Sequence, residues 1–205
     1  MATAEMWFDP LCPWAWLTSR WLLEVEQVRD VQVRFHVMSL ALLAEARAGR
    51  SEPSERQTRD GWGPVRVAIA TDLSHGGKAV RDLYTALGTL IHKERAPINR
   101  DLFALALTRS GLPHTLANAA ETTFYDEAVR VSHHAGMDPV GGEVGTPVIH
   151  LRGAAGELVA FFGPVVTPHP RNEAAGRLWD AVALAAGTDG FFELKRIRTR
   201  APIFD

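Results

Sequence analysis

The fold of this chain is decided by the stretch Trp7-Phe8-Asp9-Pro10-Leu11-Cys12-Pro13-Trp14-Ala15-Trp16. An apolar run is broken by Asp9-Pro10, and the only cysteine of the chain then stands before a proline and an amphipathic segment. This order predicts a strand, a turn and the first turn of a helix, with the thiol at the helix N-terminus. Because free backbone N–H groups and the helix dipole favour a negative charge there, we expect a lowered pKa for Cys12 and a nucleophilic thiolate.

A β-α-β unit extends outward from this stretch. We predict a short strand over residues 5–9 and a helix from Pro13 to near Arg29, where apolar residues recur at helical spacing. Residues 31–37 alternate between apolar and polar side chains, which predicts a second strand with one buried face. Two strands that are joined through a helix in this way should be parallel.

The middle of the chain has a helical pattern. Residues 39–50 predict one helix, residues 49–53 a polar break, and residues 55–136 a series of helices. The interruptions within that series contain glycine or proline and lie at residues 61–64, 75–77, 95–97 and 111–113. We therefore expect four or five helices in this part and no strand.

Strand signals return near the end of the chain. Residues 147–151 and 157–162 predict two strands, and the glycine-containing turn between them predicts a hairpin. Residues 173–186 follow with apolar positions on one helical face, which predicts a final helix.

The order of these elements points to one fold class. With the helical block left out, β-α-β followed by β-β-α is the arrangement of thioredoxin. We therefore predict an α/β, thioredoxin-like fold in which residues 1–38 and 141–205 form the sheet domain. Residues 39–140 would form a helical subdomain inserted after the second strand, and the active cleft would lie between the two parts.

The second half of the predicted site is the segment Val144-Gly145-Thr146-Pro147-Val148. Proline cannot donate to a sheet ladder, so Pro147 suits the first position of a strand. Cis peptide bonds are largely confined to X-Pro pairs, and a cis-proline at this point of a thioredoxin-like fold packs beside the active thiol. We predict a cis Thr146-Pro147 bond and a thiol-binding role for Gly145, Thr146 and Pro147; the alternative is an ordinary trans bond at the start of a strand.

Composition places the chain among soluble globular proteins and narrows its partners. Its 205 residues are 46% hydrophobic and 22% charged, with a formal net charge of −2. This balance does not favour binding to nucleic acid or to a membrane, and we interpret the basic run at residues 195–200 as a solvated segment. One cysteine cannot form an internal disulfide, and residues 1–5 lack the pattern of a secretory signal. We therefore expect a cytoplasmic protein.

Other candidate groups receive plainer interpretations. His133 and His134 are adjacent on a predicted helix and should point in different directions, so we expect no metal site. No glycine-rich phosphate-binding pattern is present, so we expect no nucleotide or flavin cofactor. Trp14 would be either a flat apolar wall beside the thiol or a packing residue, and Trp62 would line the same cleft from the helical side.

Several segments carry a resemblance to a known family. They lie at residues 7–14, 35–40, 62–70, 132–138, 144–147, 161–165 and 191–196, and together they span nearly the whole chain. The chain resembles the DsbA family, a thioredoxin fold with an inserted helical domain, and within it the actinobacterial mycothiol-dependent nitroreductase group. The resemblance implies thiol–disulfide oxidoreduction with Cys12 as the nucleophile, mycothiol as a co-substrate and no tightly bound cofactor. It implies disulfides and nitroaromatic compounds as substrates and leaves a homodimer open.

Members of this group usually carry Cys-Pro-Trp-Cys, whereas this chain has Cys12-Pro13-Trp14-Ala15. The second cysteine of such a pair resolves the mixed disulfide that the first one forms, so Ala15 puts a dithiol mechanism in doubt. Three interpretations stay open. Ala15 is an engineered replacement of a cysteine, or the enzyme is a natural monothiol one that an external thiol resolves. In the third, Cys12 is not redox-active. The protein would then be a thiol-dependent transferase or isomerase, of the kappa-class or hydroxychromene-carboxylate isomerase type, or a non-catalytic thiol-binding protein.

Overall fold

The computed structural model describes residues 2–47, 61–153 and 155–205, and its centre is a four-stranded mixed sheet. The strands follow the spatial order β2-β1-β3-β4 and have the bounds β1 Ala2–Phe8, β2 Val31–Val37, β3 Val148–Arg152 and β4 Leu158–Phe162. β1 pairs in parallel with β2 and antiparallel with β3, and β3 pairs antiparallel with β4. The α/β class, the parallel β-α-β unit and the late hairpin are thereby confirmed.

The strand bounds differ from the predicted ones mainly in β1. This strand begins at Ala2, because its first residues also pair with β2. It ends at Phe8, since the carboxylate of Asp9 accepts the backbone N–H of Leu11 (2.8 Å) and turns the chain out of the sheet. β3 begins one residue after Pro147, which has no N–H to donate to the ladder.

Two helices of the predicted sheet domain pack against each other beside the sheet. They are α1 (Pro13–Val28) and the final helix, α6 (Asn172–Ala186), and both lie close to their predicted bounds. The indole N–H of Trp21 in α1 donates to the carbonyl oxygen of Ala175 in α6 (3.1 Å). Apolar residues at helical spacing give α1 a continuous buried face, formed by Trp16, Leu17, Trp21, Leu22 and Val25.

The block between β2 and β3 is helical in its described part. Its α-helices are α2 Leu40–Ala46, α3 Trp62–Gly88, α4 Arg100–Arg109 and α5 Asp126–Met137. The helix predicted over residues 39–50 corresponds, up to residue 47, to α2 with Ser39 as its N-cap, and the break predicted at residues 49–53 lies outside the described residues. Within the described ranges, none of the helices combines the length and the apolar character needed to cross a membrane.

Most predicted interruptions of the block coincide with helix ends or a kink. α3 begins within residues 61–64 and is kinked at Gly76, whose φ of 78° lies in the left-handed region. Residues 114–121 and 123–125 form 3₁₀ segments instead of an α-helix, and the extended Thr122 between them accepts the N–H of Phe124 with its hydroxyl. The boundaries of the inserted subdomain stay a prediction.

Two glycines bring the helical block into close contact with the sheet domain. A Cβ atom on Gly88, at the end of α3, would overlap the ring of Trp16 in α1. A Cβ atom on Gly136, in α5, would overlap the ring of Trp7 in β1, whose indole N–H donates to the carbonyl oxygen of Ser132 (2.8 Å). The block is therefore packed directly against the strand and the helix that flank Cys12.

Candidate active site

Cys12 is the N-cap residue of α1, and its sulfur is held from two sides. The Sγ atom accepts the backbone N–H of Ala15 (3.4 Å), and the thiol donates to the carbonyl oxygen of Thr146 (3.4 Å). Pro13 occupies the first helical turn, where no backbone N–H is needed. The thiol thus lies at a helix N-terminus and against the loop that precedes β3.

The loop before β3 is tied to the sheet through Thr146 and Pro147. The Thr146 hydroxyl donates to the carbonyl oxygen of Trp7 (2.7 Å), and the Thr146–Pro147 peptide bond is cis. The Pro147 carbonyl oxygen already accepts the N–H of Gly163 (2.9 Å), so backbone pairing with a ligand would fall to Thr146. The ligand-binding roles of Gly145, Thr146 and Pro147 stay predictions.

Burial governs the acidity of the thiol. Only 6% of Cys12 is exposed, and the loss of water raises the pKa of its thiol to about 11. The N–H of Ala15 acts in the opposite direction, while the negative charge of Asp9 adds to the rise in pKa. The expected lowering of the Cys12 pKa is therefore wrong, because desolvation outweighs the effect of the helix N-terminus.

Asp9 is a fully buried carboxylate three residues before Cys12. Its two oxygens accept the N–H of Leu11 (2.8 Å) and the N–H of Leu40 (2.7 Å), so it joins the active-site turn to α2. Burial raises its pKa to about 6, although both N–H groups lower it. An Asp before Pro10 indicates a turn cap, but the bond to Leu40 depends on how the block packs and has no local signal in the sequence.

Trp14 and Trp62 both pack against the apolar core cluster that includes Cys12. The guanidinium of Arg198 lies over the Trp14 ring, 5.3 Å from its centroid. Trp62 is the first residue of α3, and its indole N–H donates to the carboxylate of Glu45 (3.0 Å). The packing role of Trp14 is present in the structure, and the ligand-binding role of both rings stays a prediction.

His92 supports the active-site turn, a role that no sequence pattern indicated. Its Nε2 atom lies 3.0 Å from the carbonyl oxygen of Pro10. Burial lowers the pKa of His92 to about 4, so the ring is neutral at pH 7 and its Nε2 hydrogen is donated to Pro10. With that nitrogen engaged, His92 is a positioning residue for the turn.

His133 and His134 point apart, as expected for adjacent helical positions. Their rings are 5.4 Å apart with an angle of 89° between the planes. Nδ1 of His133 accepts the N–H of Ser39 (3.3 Å), and Nδ1 of His134 lies 3.0 Å from the carboxylate of Asp138. Among the described residues, no group of three or more His, Cys, Asp or Glu side chains is placed to hold a metal ion.

Comparison with known proteins assigns a family to this architecture. The family model described as Rv2466c-like, mycothiol-dependent nitroreductase Rv2466c, matches residues 11–196 of the chain. The uncharacterized protein Rv2286c of Mycobacterium tuberculosis is 29% identical over 207 residues, which cover 99% of this chain and 85% of that protein.

Solved structures of low sequence identity share the fold. The cytosolic disulfide reductase DsbM from Pseudomonas aeruginosa matches with a TM-score of 0.59 at 18% identity, over 89% of this chain and 100% of its own. The probable DsbA oxidoreductase SCO1869 from Streptomyces coelicolor matches with a TM-score of 0.58 at 15% identity, over 98% of this chain and 96% of its own. These matches confirm the thioredoxin-like fold of the DsbA type.

Proposed function

The chain belongs to the Rv2466c-like family of mycothiol-dependent nitroreductases, and from this premise we propose that it is a thiol–disulfide oxidoreductase with Cys12 as its nucleophile. Family membership places the chain among the thiol-dependent oxidoreductases. We propose mycothiol as the external thiol that completes each turnover, because Cys12 is the only cysteine of the chain. The observation that carries the proposal is the position of the Cys12 sulfur between the N–H of Ala15 and the carbonyl oxygen of Thr146.

In the proposed exchange, the protein thiol of Cys12 reacts first and an external mycothiol reacts second. The Cys12 sulfur attacks the mycothiol sulfur of a mixed disulfide, a bond between Cys12 and mycothiol forms, and the substrate sulfur leaves with the Cys12 proton. A second mycothiol then attacks the mycothiol sulfur bound to Cys12 and gives its proton to the departing Cys12 sulfur. The substrate is released as a thiol, and one molecule of mycothiol disulfide is formed.

The surroundings of the sulfur suit a thiol that is protected until a disulfide arrives. With a pKa of about 11, roughly one Cys12 in ten thousand is ionised at pH 7. A thiolate of high pKa is intrinsically more nucleophilic, which offsets part of this low population. The N–H of Ala15 would stabilise the charge that develops on the sulfur as the proton moves to the substrate.

Nitroaromatic compounds are the second proposed substrate class, which the family description supports. Reduction of a nitro group to a nitroso group consumes two electrons and two protons. Two mycothiol molecules supply both by forming one disulfide, and one water molecule is released. Trp14 would offer its flat face to the aromatic ring beside the thiol.

Turnover of a mycothiol mixed disulfide tests the proposal. We expect the Ala15 form to release substrate thiol continuously while mycothiol is supplied, and the Cys12→Ser variant to release none. The Ala15→Cys variant should cycle between a dithiol and an internal disulfide, because the backbone at position 15 already contacts the Cys12 sulfur. Undiminished turnover by Cys12→Ser would contradict the nucleophile assignment. Absence of turnover in both the Ala15 and the Ala15→Cys forms would overturn the oxidoreductase proposal.

A thiol-dependent transferase or isomerase is the second candidate, favoured by the buried, neutral state of a thiol that has no cysteine partner. In that case Cys12 would position a thiol cofactor without exchanging with it. Turnover by the Ala15 form without formation of mycothiol disulfide would support this candidate. Stoichiometric thiol binding without turnover would indicate a non-catalytic thiol-binding protein. The oxidoreductase and the transferase or isomerase both need a pool of reduced thiol, so we propose the cytoplasm as the compartment.

A further inference from the structure

Residues 191–205, here called the C-terminal strap, run along the surface from α6 to the active-site side of the molecule. The strap forms no helix or strand, and most of its apolar side chains are open to solvent: Phe192 is 94% exposed and Ile197 is 89% exposed. Apart from Phe204, which packs against the core cluster, burial therefore contributes little to holding the strap in place. We infer that the strap is a detachable cover over the Trp14 face beside Cys12, and that Arg198 selects ligands by size at that face.

The far end of the strap is held by polar contacts, and the one with Arg171 is an ion pair at pH 7, whereas burial lowers the pKa of His169. The carboxylate of Asp205 lies 3.1 Å from Nη2 of Arg171 and 3.3 Å from Nδ1 of His169, and Nζ of Lys93 donates to the Asp205 carbonyl oxygen (3.2 Å). Arg171 and Asp205 are both about half exposed. Ion pairs at exposed positions are weak and exchange with water, so this end can detach without unfolding the core.

The next residues of the strap are in contact with the active-site turn. The ring of Phe204 stacks on His92, with 5.5 Å between the ring centroids, and His92 in turn bonds to the carbonyl oxygen of Pro10. The Thr167 hydroxyl donates to the carbonyl oxygen of Ala201 (3.3 Å) and accepts the N–H of Ile203 (2.8 Å). These contacts hold the strap beside the turn that contains Cys12, in addition to the contact that Arg198 makes with Trp14.

Arg198 is the point at which the strap covers the site. Its guanidinium lies 5.3 Å from the centroid of Trp14, the second residue after Cys12. The basic run at residues 195–200 is exposed, as the sequence predicts for a solvated segment, yet this one cation is in contact with an aromatic face. A flat, bulky ligand that stacks on Trp14 must displace Arg198, whereas a small reagent can reach the sulfur without doing so. Cation–π contacts at exposed sites are weak enough to be displaced in this way.

The experiment uses the single cysteine as a reporter of access. Cys12 is alkylated at one fixed pH with iodoacetamide and, separately, with a neutral pyrene-linked iodoacetamide, in the full chain and in three variants. Arg198→Gln removes the cation over Trp14, and Asp205→Asn releases the far end of the strap. Arg200→Gln is the matched control, since it removes the same charge from the same basic run.

We expect the pyrene reagent to react roughly two- to fivefold faster with Arg198→Gln and with Asp205→Asn, the factor that one exposed cation–π contact provides. The iodoacetamide rate should stay unchanged in all forms, and Arg200→Gln should react like the unmodified chain with both reagents. An unchanged pyrene rate in Arg198→Gln would overturn the inference. Equal acceleration of both reagents, or acceleration in Arg200→Gln, would do the same, because it would indicate general loosening.

This inference relies on the proposed function only in taking Cys12 as the group whose access matters. Alkylation measures access to the sulfur without any turnover. A failure of the oxidoreductase proposal would therefore leave the two alkylation rates unaffected, and an unaltered rate ratio in Arg198→Gln would leave the turnover test intact.

Discussion

The helical block and the C-terminal strap both lie against the elements that hold Cys12, but they are attached in opposite ways. The block places Gly88 and Gly136 directly on the rings of Trp16 and Trp7, and no side chain would fit between them. The strap is attached by the half-exposed ion pair of Asp205 with Arg171 and by the half-buried ring of Phe204, which stacks on the buried ring of His92. Close apolar packing cannot be loosened gradually, whereas exposed polar contacts exchange with water. We conclude that the block is the fixed wall of the site and that the strap is its replaceable cover.

The largest expected effect comes from disrupting the tight packing of the helical block. In Gly88→Ala and in Gly136→Ala, the new methyl group would overlap a buried indole ring. Overpacking of this kind should lower the free energy of unfolding by about 3 kcal/mol in each variant. Urea unfolding followed by circular dichroism measures the change.

Gly77→Ala is the control for these two variants. It also lies in α3, but a Cβ atom there would meet open space. We expect this variant to be as stable as the unmodified chain or about 0.5 kcal/mol more stable, because alanine restricts the unfolded chain. A stable Gly88→Ala protein would show that the contact between α3 and Trp16 is not tight.

A smaller effect, on acid stability, distinguishes the two regions. Burial lowers the pKa of both His133, in the block, and His92, under the strap, to about 4. The unfolded chain, with histidine pKa values of about 6.5, therefore binds more protons between pH 6.5 and pH 4. The free energy of unfolding should fall as the pH drops through this window, by about 2 kcal/mol for His133 at pH 5 relative to pH 8 and by less than that for His92 where the strap detaches.

Asp9 acts in the opposite direction in part of the same window. Its pKa of about 6 lies above that of an unfolded aspartate, so the folded state gains stability as the pH falls from 6 towards 4. This gain is on the order of 1 kcal/mol at pH 5 and does not cancel the loss from two histidines.

Replacing each histidine by an amide separates the two contributions. The Asn oxygen in His133→Asn can still accept the N–H of Ser39, and the Gln amide in His92→Gln can still donate to Pro10. Urea unfolding at pH 5 and pH 8 should show the larger reduction of acid sensitivity in His133→Asn, because detachment of the strap hydrates His92 and returns its pKa towards 6.5. Equal reductions in both variants would indicate that the strap stays in place as firmly as the block.

The smallest expected effect concerns the charge next to the thiol. The iodoacetamide rate of the unmodified chain should rise about tenfold per pH unit from pH 7 to pH 10 without a plateau, because burial holds the pKa of Cys12 at about 11. Asp9→Asn should shift this profile to lower pH by less than about one unit, since one of the causes of the rise is removed. A profile with its midpoint near 8.5 would mean that water reaches Cys12 and that burial does not control its pKa.

Local patterns predicted the strands and helix α1 well and the contacts between distant segments poorly. Alternation over Val31–Val37 predicted β2 to the residue, and the Cys12-Pro13 pair predicted the start of α1, because both signals lie within one element. The contact of Arg198 with Trp14 and that of His92 with Pro10 join segments far apart in sequence. These contacts depend on how the block and the strap pack against the rest of the molecule. Hydrophobic periodicity reports on single elements and does not indicate such packing.

The acidity of Cys12 shows why a correct local prediction can still mislead. The helix N-terminus is where the sequence predicts it, and its N–H group does lower the pKa of the thiol. The desolvation that opposes it comes from the burial of Cys12 in the apolar core cluster, whose members are mostly distant from Cys12 in sequence. Burial is a property of the whole fold, and here it is the stronger of the two effects.

The place of β1 between β2 and β3 also determines how the chain can assemble. Thr146, which precedes β3, bonds to Trp7 across 139 positions of sequence, so the second edge of β1 stays open until that long loop closes. Loop closure of this length costs entropy before any pairing compensates for it, which makes folding slow. During synthesis the β-α-β unit emerges first, with an unpaired strand edge that other chains can bind. The half-built sheet is therefore the form of this protein that is most prone to aggregation.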